Sequence, residues 1–446
     1  MNYQETVDYL FSSAPLFQQV GAGAYKAGLT TTQVLDEHFG HPHRRFSTIH
    51  IAGTNGKGSC SHTIAAVLQK AGYKVGLFTS PHLVDFRERI RINGEAIPED
   101  YVVRFVEEER DFFAPLHPSF FELTTAMAFK YFADAHVDIA VIEVGLGGRL
   151  DCTNIIHPLL SVITNISFDH QQFLGNTLAA IASEKAGIIK EGVTVVIGET
   201  TPETRPVFEQ AARRAKAPIV WAEEQTELLK AEPDAAEGFV YHTQSLGLLY
   251  GSLGGFCQER NTRTILAALQ SLRDGGLRFT DDDIREGFAG VCRLTGLRGR
   301  WEILHHTPYT VCDTGHNVGG FQYIVRQLAH VMQAQRENAF EQHLPAPTLR
   351  MVFGMVNDKD VSGVLSLLPQ DATYYFCQAS VKRALPADEM EAVARQSSLR
   401  GSACGSVVEA YQKARAEALP NDVIFIGGSS FVVADILAHL QQQDHK

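Results

Sequence analysis

Apolar runs of four to six residues recur along the chain, separated by longer stretches in which apolar side chains return at helical spacing. Runs that short, rich in Val and Ile and ending in polar or glycine turns, are the signature of strands buried on both faces of a parallel sheet, with the intervening segments as covering helices. The first half predicts strands at Thr48–Ala52, Lys74–Phe78, Asp138–Val144, Leu160–Thr164 and Thr194–Gly198. A second series follows at Tyr309–Asp313, Leu349–Gly354, Thr373–Cys377 and Asp422–Gly427, with helices such as Gly319–Gln335 between them. The expectation is two α/β domains, 1–297 and 298–446, divided near Leu297–Arg300, where a helix at Asp281–Ala289 gives way to the glycine-broken Thr295–Gly299. Ala222–Gln244 is polar, acidic and without a clear period, and reads as a surface excursion or a short β element. No internal repeat or low-complexity tract is present, which disfavours a solenoid.

Composition narrows the function classes. With 446 residues, 45% of them hydrophobic and 20% charged, the chain has material for large buried cores, which excludes a disordered or fibrous protein. The 51 acidic and 39 basic residues give a net charge of −12, which repels nucleic acid and anionic membrane surfaces alike. Seven scattered cysteines form no C-x-x-C pair and no zinc-finger spacing, as expected of reduced thiols. The opening segment has no charged start followed by a long apolar core, and no run of spanning length occurs elsewhere. A cytoplasmic protein, by default a monomer, with neither nucleic-acid nor membrane partners is expected.

The strongest chemical signal is the segment Ile51-Ala-Gly-Thr-Asn-Gly-Lys-Gly-Ser59, placed after a predicted strand and before the amphipathic Cys60–Ala71. Glycines at 53, 56 and 58 let backbone N–H groups converge on an anion at a helix N-terminus, and Lys57 supplies a charge for a transferring phosphoryl group. Ser59 is then expected to face a metal ion. The spacing departs from G-x-x-x-x-G-K-[ST], since two residues separate Gly53 from Gly56 and Gly58 separates Lys57 from Ser59; the alternative is a plain strand-to-helix turn. Glu143 ends an otherwise apolar strand, and His170 in Ser167-Phe-Asp-His170 follows another. Ligands of open parallel sheets bind beyond the strands' carboxyl ends, so both could meet the glycine loop. A salt-bridged glutamate and a structural histidine are the competing accounts, and for Lys185, beside Glu184, a solvated charged face. Asp313-Thr-Gly-His-Asn317 also follows a strand, which places Asp313 and His316 at a ligand-facing end of the second domain.

Taken together, Gly53 to Ser59, Ser80-Pro-His82, Glu143 to Asn154, Asp169-His170 with Leu174-Gly175, and Glu184-Lys-Ala-Gly187 are highly specific in this order. From about residue 20 onward the chain resembles the folylpolyglutamate synthase/dihydrofolate synthase family of ATP-dependent amide ligases, relatives of the muramyl ligases. A muramyl ligase proper has an extra domain before the glycine loop, and the 52 residues that precede Gly53, enough for a couple of helices and a strand, favour the folate branch. The resemblance implies a P-loop-type parallel-sheet N-terminal domain followed by a smaller Rossmann-like α/β domain. It implies that Gly53, Asn55, Gly56, Lys57, Gly58 and Ser59 hold ATP phosphates, and that Ser80, Glu143 and His170 bind magnesium. Lys185 matches a lysine that carries a carbamate, able to serve a second Mg²⁺ ion or the acyl phosphate. Asn261, Arg300, Asp313 and His316 match nucleotide-contacting positions, and Ser119, Phe120, Phe121, Glu122, Leu150, Asp151 and Cys152 match pterin-binding segments. The chain departs from the family pattern at Cys152 for the usual Ala, at Thr314-Gly315 for Gly-Ala, and at Arg298 for Pro.

The implied reaction joins a carboxylate to the amine of L-glutamate after ATP converts the carboxylate to an acyl phosphate, with Lys57, Mg²⁺ and loop N–H groups stabilising the phosphoryl charge. The substrates are dihydropteroate and reduced folates; the near alternatives are a monofunctional folate extender or a related small-molecule amide ligase. A nucleotide switch and a small-molecule kinase are the rival classes. The second strand-end site at Asp313 and His316 argues against a switch, and phosphate release coupled to amine consumption separates a ligase from a kinase.

Overall fold

The Val- and Ile-rich segments become strands because helices cover both of their faces, so a continuous apolar run is buried throughout. The computed structural model describes residues 1–13, 28–234 and 237–444. The chain divides into two compact units, Met1–Leu253 with Gln258–Leu297, and Gly254–Cys257 with Arg298–Lys446.

In the first unit, β1 (Ser47–Ala52), β2 (Val75–Phe78), β3 (Ile90–Ile92), β4 (Glu95–Ala96), β5 (Ile139–Glu143), β6 (Leu160–Ile163), β7 (Val195–Ile197) and β8 (Ile219–Trp221) form one sheet. Its order is β4-β3-β2-β5-β1-β6-β7-β8. Six strands are parallel, and β3 and β4 are added antiparallel at one edge. Asn93 and Gly94, both at positive φ, make the two-residue turn between β3 and β4. The chain leaves β1 towards β2 on one side, whereas β5 is followed by β6 on the other. The carboxyl ends around β1 are therefore the switch point at which such sheets bind ligands.

Register fixes which residues share that edge. Ile51 pairs with Glu143 across β1 and β5, Phe78 with Ile142 across β2 and β5, and Ala52 with Ile163 across β1 and β6. The loop from Gly53, the Ser80 turn, Glu143 and the segment after Ile163 thus all emerge at one end of four adjacent strands. Beneath that edge, the helix Lys57–Lys70 is buried from Gly58 to Leu68. It packs against the helix Asp281–Ala289 so closely that a Cβ on Gly287 would lie 2.7 Å from Val67 Cα. One core is rich in Phe, with Phe78, Phe105, Phe120, Phe129 and Phe132; another gathers Ile163, Ile181, Val195, Ile197 and Phe208.

The polar stretch expected as an excursion or β element contributes β9 (Leu228–Pro233) and β10 (Phe239–Thr243), which join β11 (Leu248–Gly251) in a small antiparallel sheet. Residues 235 and 236 of that stretch lie outside the described residues. In the second unit, β12 (Glu302–His306), β13 (Tyr309–Asp313), β14 (Leu349–Phe353), β15 (Thr373–Gln378), β16 (Arg400–Ser406) and β17 (Val423–Gly427) run in the order β12-β13-β17-β14-β15-β16. All are parallel except the edge hairpin strand β12. Helices including Val318–Glu341 and Ser430–Asp444 belong to this unit, whose core holds Phe321, Met351, Phe353, Tyr374, Phe376 and Phe425. Gly254–Cys257 joins it through Phe256 N, which donates to Gln327 Oε1 at 2.8 Å. No described helix is long and apolar enough to cross a membrane.

Candidate active site

The loop after β1 needs glycine for two different reasons. Gly53 sits at φ +145°, where a Cβ would fall 1.8 Å from Thr164 Oγ1; Gly56 sits at φ +85°, where it would fall 2.3 Å from Asn261 Oδ1. Gly56 is the N-cap of the helix Lys57–Lys70, so the loop ends on that helix's electropositive terminus. The loop is tied to the segment following β6. Thr54 N donates to Asn165 O, Asn55 N to Asn165 Oδ1, and Asn55 Nδ2 to Ser167 Oγ, at 2.9, 2.9 and 3.2 Å. Lys57 folds back over the loop, its Nζ donating to Gly53 O at 3.2 Å and Thr54 O at 3.1 Å.

Lys185 ends the helix Leu178–Lys185, and its Nζ donates to the same Gly53 carbonyl at 2.8 Å. Burial, and then the nearby Lys57 charge, lower its pKa to about 7, against the opposing pull of Asp169 and Asp151. The surface-helix account of this lysine fails, because the side chain lies in the site. Asn261 is buried over Gly56 and donates to Gln258 Oε1 at 2.9 Å. Ser59 is buried and accepts from Gln258 Nε2 at 3.3 Å, so its hydroxyl turns towards the helix Gln258–Asp274. Gly58 lies in the first turn of the loop's helix.

Glu143 is buried at the carboxyl end of β5, and its charge acts on the buried Arg89. Ser80 follows β2 and lies two residues beyond Phe78, the partner of Ile142. His170, at positive φ, caps the short helix Gln171–Leu174, and its backbone N donates to Asp169 Oδ1 at 2.8 Å. Among the described residues no group of three or more His, Cys, Asp and Glu side chains forms a cage for a metal ion. The expected set of one hydroxyl, one carboxylate and one imidazole is an open one. It suits a magnesium ion that keeps waters and takes phosphate oxygens, and a buried carboxylate at a strand end supplies the hard charge such an ion requires.

The turn after Glu143 is built from within. Asp151 Oδ2 accepts from Leu146 N at 2.8 Å and Oδ1 from Thr153 N at 3.0 Å; Thr153 Oγ1 also donates to Oδ1. Burial raises the pKa of Asp151, and these donors oppose the rise. His50 of β1 lies behind them, with Nε2 2.8 Å from Thr153 Oγ1. Because the threonine proton faces Asp151, His50 must be the donor, and burial lowers its pKa to about 3, which keeps the ring neutral. Cys152 is a desolvated thiol, its pKa raised well above the ordinary value by burial and by the charges of Asp151 and Glu122. Leu150 is half-buried beside it.

In the second expected substrate segment, Ser119 and Glu122 form a capping box for the helix Phe120–Asp134. That reciprocal pair engages both side chains locally. Phe120 is buried beneath Arg89, whose guanidinium lies 5.2 Å from the ring centroid. Phe121 reaches the site itself, since a Cβ on Gly145 would lie 2.5 Å from its Cζ.

In the second unit the turn after β13 is organised by Asp313, which accepts from Trp301 N at 2.8 Å and Gly315 N at 2.7 Å. Burial raises its pKa, while Arg300 and the two N–H groups act in the other direction. Arg300 donates to Thr314 Oγ1, and His316 Nδ1 lies 3.1 Å from Thr314 O. Arg300, from the segment before β12, thus meets the turn that carries Asp313 and His316. Asn165, Asp169, Gln258 and Arg89 were not foreseen as site residues; of these, only Asp169 lay in a quoted motif.

Two family models match the chain: the Mur ligase middle domain over residues 51–231 and the Mur ligase glutamate ligase domain over residues 299–430. Dihydrofolate synthase/folylpolyglutamate synthase of Bacillus subtilis is 33% identical over 428 residues, covering 93% of this chain and 95% of the relative. Among solved structures, E. coli FolC in complex with DHPP and ADP aligns with a TM-score of 0.82 and 28% identity, over 100% of this chain and 99% of that one. The Yersinia pestis bifunctional folylpolyglutamate synthase/dihydrofolate synthase complexed with AMPPNP and Mn aligns at 0.79 and 27%, over 99% and 98%. Identity at this level across nearly the whole of both chains, with the glycine loop and its lysines in the geometry just described, makes this chain a member of the folylpolyglutamate synthase/dihydrofolate synthase family of Mur-type ligases.

Proposed function

We propose that the protein is an ATP-dependent carboxylate–amine ligase that adds L-glutamate to dihydropteroate and to reduced folates through an acyl phosphate. The observation that carries this reading is the pair of lysines over one glycine loop, Lys57 and the buried Lys185, at a sheet edge that also presents Glu143. Residues 1–297 take the roles of ATP and folate binding, and residues 298–446 those of a Rossmann-like ligase domain.

The substrate carboxylate attacks the γ-phosphorus of ATP, and ADP leaves. The loop N–H groups and Lys57 face the charge that grows on the transferring oxygens. Ser80, Glu143 and His170 would hold magnesium, which when bound neutralises phosphate charge. Lys185, with a pKa of about 7, is substantially an uncharged amine at neutral pH and so able to add CO₂. The carbamate, formed with loss of a proton from the amine, would place an anion beside the loop, a ligand for a second ion or an orienter of the acyl phosphate. The glutamate amine then attacks the acyl carbon, phosphate leaves, and an amide remains. Asn261, Arg300, Asp313 and His316 serve the nucleotide; Phe121, Leu150 and the Asp151 turn, with the other residues of their segments, face the pterin.

The protein acts in the cytoplasm as a monomer. Phosphate release with ATP, Mg²⁺ and glutamate, measured with dihydropteroate, with tetrahydrofolate and with no pterin, and paired with mass spectrometry, tests the reading. Glutamyl adducts of both pterins are expected. An adduct of tetrahydrofolate alone restricts the enzyme to chain extension, and no adduct with either pterin defeats the substrate assignment.

A further inference from the structure

We propose that Asn154 is a positioning residue for the reaction, acting through the main chain on Lys185 and on the glycine turn that follows Glu143; the inference rests on the role given above to Lys185. Asn154 lies in the short helix Cys152–Ile155 and is 8% exposed. Its Nδ2 donates twice, to Arg149 O at 3.1 Å and to Gly187 O at 3.0 Å, while its buried Oδ1 has no hydrogen-bond partner among the described residues. Reversing the amide would set its oxygen against two carbonyl oxygens, so the orientation is fixed by the two donors. One primary amide thereby fastens the glycine turn to the segment that follows Lys185.

The segments it joins touch at backbone distance. A Cβ on Gly148 would lie 2.9 Å from both Glu184 O and Lys185 O, and one on Gly187 would lie 2.3 Å from Arg149 Cα. Arg149 N donates to Glu184 O at 2.8 Å, and Lys190 Nζ donates back to Asn154 O at 2.9 Å. The Arg149–Glu184 ion pair also spans this junction, but the arginine side chain is 57% exposed and such a pair contributes little. The buried amide is the fastening that water cannot replace without opening the junction. Lys185 reaches Gly53 O only while its helix end stays in place, and a displacement of about 1 Å at a reacting centre costs on the order of 100-fold in rate.

The test compares full-length wild type with Asn154→Ala and Asn154→Asp, assayed with ATP, Mg²⁺, dihydropteroate and glutamate. The expected result is a kcat lower by about 10- to 100-fold, with KM for ATP within about twofold of wild type and an unchanged circular dichroism spectrum. Asn154→Asp should be at least as damaging as Asn154→Ala in spite of its matched size, because a carboxylate then faces both carbonyls. A lowered melting temperature with kcat held within about threefold assigns Asn154 to the fold alone and overturns the proposal. If neither variant folds, Asn154→Ser, which retains one donor, is assayed in the same way and judged by the same split between kcat and KM.

NMR in ¹³C-bicarbonate separates this proposal from the reading on which it rests. A lysine carbamate signal in wild type that weakens in the variants supports both. An equal signal in wild type and variants with low kcat overturns the action on Lys185. No signal in wild type defeats the carbamate, and the kinetic split then decides Asn154 by itself.

Discussion

Lys57 and Lys185 donate to the same acceptor, the carbonyl oxygen of Gly53, at 3.2 and 2.8 Å. Burial, and after it the Lys57 charge on the same oxygen, lowers the pKa of Lys185 to about 7. Lys57 stands at the N-terminus of the helix Lys57–Lys70, where a phosphate is expected. The two lysines should therefore fail differently on substitution. Lys57→Ala removes transition-state charge and is expected to lower kcat by about 100-fold or more at saturating ATP. Lys185→Arg keeps a cation but cannot form the carbamate, and should be nearly as inactive as Lys185→Ala. Activity of Lys185→Arg close to wild type would mean that the side chain acts as a plain cation.

Gly56→Ala tests the loop geometry without touching a charge. Its φ of +85° disfavours any Cβ, and that atom would meet Asn261 Oδ1 at 2.3 Å. Left-handed backbone costs an L-residue about 1–2 kcal/mol before the clash is added. The relief available is a shift of Asn261 or of the loop. Either change moves groups expected to meet ATP, so a rise in KM for ATP of about tenfold or more should appear in initial-rate measurements. An unchanged KM would show that ATP does not use this loop conformation.

Glu143→Gln removes the hard charge from the end of β5 while keeping its volume. Turnover should fall by about 100-fold or more, and raising Mg²⁺ should not restore it, because a neutral amide is a poor ligand for that ion. Full rescue at high Mg²⁺ would demote Glu143 to one weak ligand among several.

The fold was legible where a segment carried its own signal. The glycine loop of Gly53 to Ser59 announces a strand, an anion site and a helix within nine residues of chain, from Ile51 to Ser59. β3 and β4 were missed because strands of three and two residues are too short to show a period, although Asn93-Gly94 is a strong hairpin signal. β16 was missed for a different reason, since Arg400-Gly-Ser-Ala-Cys-Gly-Ser406 has no β-branched residue and is a strand through its pairing with β15. At the site, periodicity alone reads Lys185 as a surface lysine; the family resemblance picks it out, and the fold brings it to Gly53, 132 residues away. Asn165 and Gln258 carry no pattern either, and they matter through bonds formed across 110 and 199 residues. Ser119-Phe-Phe-Glu122, expected only as a substrate-binding segment, is also Ser-x-x-Glu before an apolar run, the capping-box motif that the structure shows.

The second unit has a fastening of its own at the other end of its sheet. Asp422 is fully buried and accepts from Arg350 Nε at 2.9 Å, Thr348 N at 2.7 Å and Leu419 N at 3.0 Å. Arg350 also donates to Tyr375 Oη and Glu417 O, at 2.6 and 2.7 Å. Asp422→Ala takes the Nε acceptor from a guanidinium that is 12% exposed and the acceptor from two N–H groups, which should cost about 3 kcal/mol. Chemical denaturation should show this loss, with Asp422→Asn milder because it keeps an acceptor. A loss below about 1 kcal/mol would mean that water enters and satisfies Arg350.

His50 offers a test of how the turn at Asp151 and Thr153 is held, through the pH dependence of stability. Its folded pKa is lowered to about 3 by burial, and an unfolded histidine titrates near 6.5. Between those values the unfolded chain binds a proton that the folded chain refuses. Stability from this group is therefore complete above about pH 6.5 and declines as pH falls towards 3, by up to about 1.4 kcal/mol per pH unit. His50→Gln can still donate an N–H to Thr153 Oγ1 but does not titrate, so it should lose part of the acid sensitivity of wild type between about pH 6.5 and 4. Melting temperatures of the two proteins over that range make the comparison. The gap between them should narrow as the solution is acidified. Parallel curves would show that His50 takes up its proton as readily in the folded protein as in the unfolded chain, and that burial does not hold the ring neutral.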